Sequence, residues 1–206
     1  RGAGGILIES STPLRGYFNL DNILLVLAIA IECGIDPLDC AALIPRLKGA
    51  PGRMESVECG QDFTALVDYA HTPDAVRNVI ATAREFTSGK VVAVLGCGGD
   101  RDASKRPLMG STLIEESGIA IFTSDNPRSE DPAKILEDMS SHLPINAPSR
   151  VVIDRHEAIA YAVSLCQSGD TLLVLGKGHE NGQEIKGKKI DFDDRLVLAK
   201  ILEESQ

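Results

Sequence analysis

The sequence predicts an α/β fold: a Rossmann-like, mostly parallel sheet with helices on both faces, preceded by the tail of another domain. Two observations carry that class. Uninterrupted apolar runs at residues 90–95, 118–123 and 171–175 have the length and composition of strands buried on both faces. From Arg53 onward such runs alternate with helical stretches, the pattern of right-handed βαβ units. A third observation bears on function, because each of the three runs ends in a polar loop. These are Gly96-Cys97-Gly98-Gly99-Asp100-Arg101-Asp102, Asp125-Asn126-Pro127-Arg128 and Gly176-Lys177-Gly178-His179-Glu180. Ligands of open parallel sheets bind beyond the carboxyl ends of the strands. The loops are therefore expected to gather Arg, Asn, Lys, His and Glu into a site for a small zwitterionic or anionic ligand.

Residues 1–9 read as a glycine-rich turn entering a strand. A strongly apolar helix is expected over about residues 20–33, capped by Asn19 or Asp21 and ended by Gly34. A second helix follows over about 37–47, with Asp36 as cap and Pro37 in its first turn, and 48–52 read as a linker. Two helices and a strand cannot bury that much apolar surface, so residues 1–52 are expected to end a larger domain whose beginning is missing. Residues 53–206 then alternate. Strands are expected at 63–68, 90–95, 119–123, 150–153 and 171–175. Helices are expected at 73–86 with Thr72 as cap, 106–117, 132–142 capped by Asp131, and 156–166 capped by Asp154 or Arg155. A hairpin over 183–190 turns at Lys186-Gly187-Lys188, and a last helix covers about 193–203.

Composition narrows the function. The 206 residues carry a net charge of −9, with 4% aromatics and no Trp, which disfavours duplex-binding, base-stacking and anionic-membrane roles. Arg101, Lys105, Arg106, Arg128 and Lys177 still put cations on or beside the three loops. Cys33, Cys40, Cys59, Cys97 and Cys166 form no C-x-x-C pair, so reduced thiols are expected rather than disulfides or structural zinc. The longest apolar stretch, 23–31, is far short of the ~20 residues that span a bilayer, and a cytoplasmic protein is expected.

Each loop has a bland reading beside the functional one. Gly96-x-Gly98-Gly99 fails the dinucleotide spacing because Arg101 stands where the third glycine belongs, and no P-loop occurs in the sequence. Tight turning explains these glycines as well as a ligand does. In Asp125-Asn126-Pro127-Arg128, Pro127 stiffens the turn and so holds Arg128, the residue type best suited to grip a carboxylate. The bland reading pairs Asp125 with Arg128. Glu180 can receive an ammonium while Lys177 or Arg101 receives a carboxylate, the polarity of an amino acid. The bland reading there is a surface turn with a weak ion pair. Asp68, ending a strand, suits ribose hydroxyls; His71 and His179 read first as structural histidines. Lys186-Gly187-Lys188-Lys189 reads as a solvated hairpin tip.

These segments lie in order with three others: Leu14-Arg15-Gly16-Tyr17-Phe18-Asn19-Leu20-Asp21-Asn22, Pro51-Gly52-Arg53-Met54-Glu55 and Asp68-Tyr69-Ala70-His71-Thr72-Pro73-Asp74. Together they resemble the Mur ligase family, within it the members that add the third amino acid of the peptidoglycan peptide, over essentially all 206 residues. The resemblance implies three domains: one for the UDP substrate, a central ATPase domain, and a Rossmann-like C-terminal domain for the incoming amino acid. Residues 1–52 then match the C-terminal end of the central domain, and 53–206 the whole C-terminal domain. The implied activity is that of an ATP-dependent acid–amino-acid ligase. ATP and Mg2+ are its cofactors, both held mainly outside this chain. The carboxylate of a UDP-muramoyl dipeptide becomes an acyl phosphate, and the incoming amine attacks it.

By the same resemblance, Arg101, Asp125, Asn126, Arg128, Gly176 and Glu180 bind the amino acid. Asn19 and Asn22 lie near the adenine, and Arg53 and Asp68 hold base, ribose or phosphates. His71, Lys177 and His179 are accessory, and no catalytic residue or metal ligand is implied in this chain. The Asp-Asn-Pro-Arg form accompanies meso-diaminopimelate, whereas lysine-adding members replace the Arg. Diaminopimelate is lysine with one more carboxylate, which Arg128 matches. The sequence lacks the family's P-loop, modified lysine, magnesium ligands and UDP-binding domain. A longer parent is therefore expected, monomeric and without nucleic-acid or membrane partners, and these residues alone are expected not to ligate. Four readings compete: a non-catalytic structural homologue, a lysine-adding ligase, a folate polyglutamate synthetase and a nicotinamide-dependent oxidoreductase. Intact Arg101, Arg128 and Glu180 oppose the first, Arg128 the second, the paired Asp-Asn-Pro-Arg and Gly-Lys-Gly-His-Glu motifs the third, and the glycine spacing the fourth.

Overall fold

The computed structural model describes residues 7–205, and the chain divides into two compact units, Arg1–Ala50 and Pro51–Gln206. In the first unit, helix α1 (Tyr17–Glu32) starts earlier than expected. Neither Asn19 nor Asp21 caps it. Gly16, at φ 89°, makes the turn into the helix, and Asn19 lies inside the first turn, where its Nδ2 donates to the Arg15 carbonyl at 2.7 Å. Gly34 ends the helix as expected: at φ 87° its N–H donates to the Ile31 carbonyl, and the Ile35 N–H to that of Ala30. Helix α2 (Pro37–Leu43) is capped by Asp36, which accepts from the Leu38 N–H. It is shorter than expected because Pro45 has no N–H for the helical ladder, and the chain tightens into a 3₁₀ turn, Ile44–Arg46. The expected opening strand falls largely outside the described residues, and residues 7–9 form no strand.

The second unit is built on six strands: β1 (Glu55–Ser56), β2 (Thr64–Asp68), β3 (Val91–Leu95), β4 (Ile119–Phe122), β5 (Arg150–Val151) and β6 (Thr171–Leu175). Their order in the sheet is β1-β2-β6-β3-β4-β5, parallel throughout except for the antiparallel β1–β2 edge. β1 is invisible to pattern reading, since two polar residues become a strand only by pairing with β2. Five helices follow: α3 (Pro73–Arg84), α4 (Arg106–Glu116), α5 (Pro132–Ser140), α6 (Arg155–Leu165) and α7 (Asp194–Glu204). Thr72, Asp131, Asp154 and Asp193 cap α3, α5, α6 and α7 through side-chain oxygens, so Arg155 is not a cap.

Alternate residues of the central strands serve opposite faces. In β3, Ala93 and Leu95 pack with Ile80, Leu113 and Leu136 of α3, α4 and α5, whereas Val92 and Val94 pack with Ile159 and Leu198 of α6 and α7. Burying each such leucine stabilises the fold by about 1.5–3 kcal/mol. The chain runs outward through β3, β4 and β5, then returns through α6 to insert β6 between β2 and β3. Right-handed crossovers taken in opposite directions put α3–α5 on one face and α6–α7 on the other. The mostly parallel, doubly covered sheet read from the sequence is present. After β6 comes the hairpin β7 (Gly182–Ile185) and β8 (Lys188–Asp191), turning at Lys186 and Gly187 with φ 50° and 72°, a type I′ geometry. Among the described residues no helix is long and apolar enough to cross a membrane.

Candidate functional site

The carboxyl ends of β2, β6, β3 and β4 border a cleft of about 460 Å³. Arg101 enters it from the loop after β3, Asp125, Asn126 and Arg128 from the loop after β4, and Gly176 and Glu180 from the turn after β6. His71 and Tyr69 join from the end of β2. All six residues expected in an amino-acid pocket thus share one cleft. Lys177, His179, Arg53 and Asp68 do not line it.

The loops are tied to one another. The Gly99 N–H donates to the Asn126 carbonyl at 2.8 Å, and a side chain at Gly99 would collide with the Pro127 carbonyl oxygen. Asp100 accepts from the Ser129 hydroxyl at 2.6 Å and the Ser129 N–H at 3.2 Å. Glu130 accepts from the Asp100 N–H at 2.6 Å and from Arg106 at 2.8 Å. Gly176 sits at φ 109°, and a Cβ there would stand 2.7 Å from Asp125 Oδ2. Tight approach, rather than turning alone, is what these glycines allow.

Arg128 does not pair with Asp125. At φ 52° it donates from Nη1 to the Gly99 carbonyl at 2.7 Å, and its Nε lies 3.7 Å from Glu184 Oε2. Its N–H donates to the Glu184 carbonyl at 2.9 Å, and its carbonyl accepts from the Lys186 N–H at 2.6 Å, so hairpin strand β7 braces the loop. Arg101 is exposed and makes no hydrogen bond or ion pair among the described residues.

The turn after β6 is not a solvated surface turn. Lys177 is fully buried, and its Nζ donates to Gly182 O at 2.7 Å, Glu180 Oε2 at 3.0 Å and Asn126 Oδ1 at 3.2 Å. It cannot also receive a ligand carboxylate, as an ammonium has three N–H groups. Asn126 is saturated as well. Its Nδ2 donates to Asp125 Oδ1 and Glu180 Oε2, and its Oδ1 accepts from Lys177 and the Glu184 N–H.

Burial raises the Asp125 pKa, against the pull of nearby Arg155 and Lys177. Burial would raise Glu180 too, but hydrogen bonds from Lys177 and Asn126 hold it below the usual carboxylate range. The Cys97 thiol in the cleft is pushed up to about 12 by burial and by Asp125, so it is no nucleophile at neutral pH.

Beneath the cleft, Arg155 pairs with Asp194 through two bonds of 2.8 and 2.7 Å. Its remaining N–H groups reach Ser124 O and Leu175 O at 3.2 and 2.8 Å, locking the ends of β4 and β6 to the start of α7. Arg106 joins Glu130 to Asp138 in the same way near α4 and α5. Sequence reading places Arg106 beside the loops but misses the role of Arg155 and the pairing of both, since their partners lie 24 to 39 residues away and only the tertiary fold brings them together.

Of the expected nucleotide residues, Arg53 stacks over the Tyr69 ring at 4.8 Å. Tyr69 also meets His71 edge-on at 4.6 Å and His179 at 5.7 Å, and His71 Nδ1 donates to the Tyr69 carbonyl. Asp68 is only 4% exposed, and its two oxygens accept from the Met54 and Ala70 N–H groups. Its carboxylate orders the backbone on both sides of β2's end. Asn19 and Asn22 lie on α1 in the first unit. Among the described residues no three His, Cys, Asp or Glu side chains gather as a metal ion requires.

Known proteins share this architecture and sequence. The model of the family described as Mur ligase, glutamate ligase domain, matches residues 52–178. The chain is 46% identical over 191 residues to the UDP-N-acetylmuramoyl-L-alanyl-D-glutamate–2,6-diaminopimelate ligase of Syntrophomonas wolfei, covering 92% of this chain and 39% of that protein. It is 46% identical over 202 residues to the ligase of the same name from Geobacillus thermodenitrificans, covering 98% of this chain and 41% of that protein. A solved structure of a ligase of that name superposes with a TM-score of 0.77 at 40% identity, over 95% of this chain and 40% of that one. The chain thus spans about two fifths of the length of the relatives it matches. With nearly half its residues shared and its sheet superposable, the chain belongs to the Mur ligase family.

Proposed function

We propose that this chain is the amino-acid-binding portion of an ATP-dependent ligase that joins meso-diaminopimelate to UDP-N-acetylmuramoyl-L-alanyl-D-glutamate in peptidoglycan precursor synthesis. One observation carries the reading: a single cleft holds the carboxylates of Asp125 and Glu180 beside three guanidinium groups, of which Arg106 is already paired with Glu130 and Asp138, so that Arg101 and Arg128 face a ligand. Diaminopimelate bears two carboxylates and two amino groups, so both signs of charge find partners. A lysine ligand would bring only one carboxylate to the two arginines, so the second charge-assisted bond would go unmade.

In this reading residues 1–52 end the central ATPase domain, and residues 53–206 form the domain that closes over ATP with the amino acid bound. Asn19, Asn22, Arg53 and Asp68 serve the nucleotide, and Asp68 also holds the backbone beside Arg53. The chain has neither a P-loop nor a described cluster of metal ligands. Magnesium and the ATP phosphates therefore belong mainly to the rest of the intact ligase, and this chain alone does not ligate. Its task is to orient the amine toward the acyl phosphate of the dipeptide. The ligase acts as a cytoplasmic monomer.

The test is ATP-dependent phosphate release by the intact protein with the UDP-muramoyl dipeptide and either meso-diaminopimelate or L-lysine. Release with diaminopimelate alone is expected. Release with lysine overturns the specificity, and release with neither overturns the ligase reading.

A further inference from the structure

The turn after β6 places a fully buried ammonium directly behind the cleft. Lys177 spends all three N–H groups on Gly182 O, Glu180 Oε2 and Asn126 Oδ1, so none remains for a ligand. Those bonds have two consequences. Asn126 has its oxygen held toward Lys177 and the Glu184 N–H, and its amide nitrogen toward Asp125 and Glu180, which forbids a flip. Glu180 has Oε2 engaged twice, while its Oε1 accepts no hydrogen bond among the described residues. Glu180 is at the cleft wall, so its free oxygen is the one left for a cationic group.

We infer that Lys177 is a positioning residue for the incoming amino acid: it never touches that ligand, but fixes Glu180 as an oriented carboxylate that receives a ligand ammonium. The inference rests on the amino-acid reading of the cleft and names the residue that sets its cation-binding group.

The electrostatics follow the geometry. Lys177, Arg128, Arg155 and Asp125 act on Glu180 within this site, and Glu184 and Lys189 face it across an adjoining cavity of about 250 Å³. Among the described residues, Lys177 is the only cation that touches the carboxylate. Burial favours the neutral acid, and the bonds from Lys177 and Asn126 outweigh it. Without Lys177 the burial remains and its main opponent is gone. Glu180 then protonates at a higher pH, and ammonium binding fails at a higher pH.

The experiment compares wild type, Lys177→Met and Lys177→Arg in the intact protein. KM for diaminopimelate, ATP and the UDP-muramoyl dipeptide is measured separately, and kcat/KM for diaminopimelate is followed against pH. Lys177→Met is expected to raise KM for diaminopimelate by about thirtyfold or more, as loss of one partner of a buried charge pair does. KM for the other two substrates stays put, and the acid limb moves up by about one pH unit or more. Lys177→Arg keeps the charge, so its acid limb stays at the wild-type pH while KM for diaminopimelate rises. A folded Lys177→Met protein with unchanged KM and acid limb overturns the inference, as does an equal rise in all three KM values. Should Lys177→Met not fold, the arginine variant decides, because an acid limb displaced in that variant overturns it too. Wild-type protein inactive with diaminopimelate would sink the amino-acid reading itself, a result separate from any of these.

Discussion

Arg101 and Lys177 are cations beside the same cleft, and the fold treats them in opposite ways. Arg101 is exposed on the loop after β3 and bonds to nothing among the described residues. Lys177 is wholly buried with every N–H engaged. One region supplies a side chain free to answer a ligand, and the other supplies the frame against which that ligand is judged. Changes in the frame are therefore expected to cost stability or geometry, and changes at the free side chain only affinity.

The widest gap between the two regions is tested at Asp194. Asp194→Ala strands the Arg155 guanidinium in the interior, and urea unfolding should show a loss of about 3–5 kcal/mol. A loss below about 1 kcal/mol would mean that the buried ion pair does not hold the ends of β4 and β6. Arg128 lies between the extremes, half-buried yet lining the cleft. Arg128→Ala should raise KM for diaminopimelate about thirtyfold or more and leave KM for ATP and the UDP-muramoyl dipeptide unchanged, since the second carboxylate loses its partner. Equal rises in all three KM values would assign Arg128 to the frame. The smallest effect is expected at Arg101. Arg101→Ala should raise KM for diaminopimelate about tenfold, as removal of a charged hydrogen bond does, and leave unfolding within about 0.5 kcal/mol of wild type. A stability loss rivalling that of Asp194→Ala would erase the distinction.

The same contrast explains what could be read in advance. β3, β4 and β6 are legible because burial on both faces demands uninterrupted apolar residues, and the polar loops that follow them stand out for that reason. Helix caps at Asp36, Thr72, Asp131 and Asp154 are legible because a cap acts within three residues of itself. The start of α1 is not, because a glycine turn with no side-chain cap leaves no polar signature. The residues that gather in the cleft could be named one by one, yet their division of labour could not. Lys177 looks like a ligand-binding lysine until Gly182 and Asn126 fold around it. Arg155 and Asp194, 39 residues apart, carry no mark of their pairing.

The crossing of two loops at Gly99 shapes how this pocket can evolve. The Pro127 carbonyl fills the space where any side chain at position 99 would begin, and bonds from Ser129 to Asp100 and from Asp100 to Glu130 fasten the loops on either side. A mutation enlarging either strand of the crossing displaces the other, so the two segments drift together or stay still. Innovation is confined to positions that reach the cavity without taking part in the knot, Arg101 foremost. A lineage can thus change which amino acid it accepts through very few substitutions while the backbone around them stays frozen.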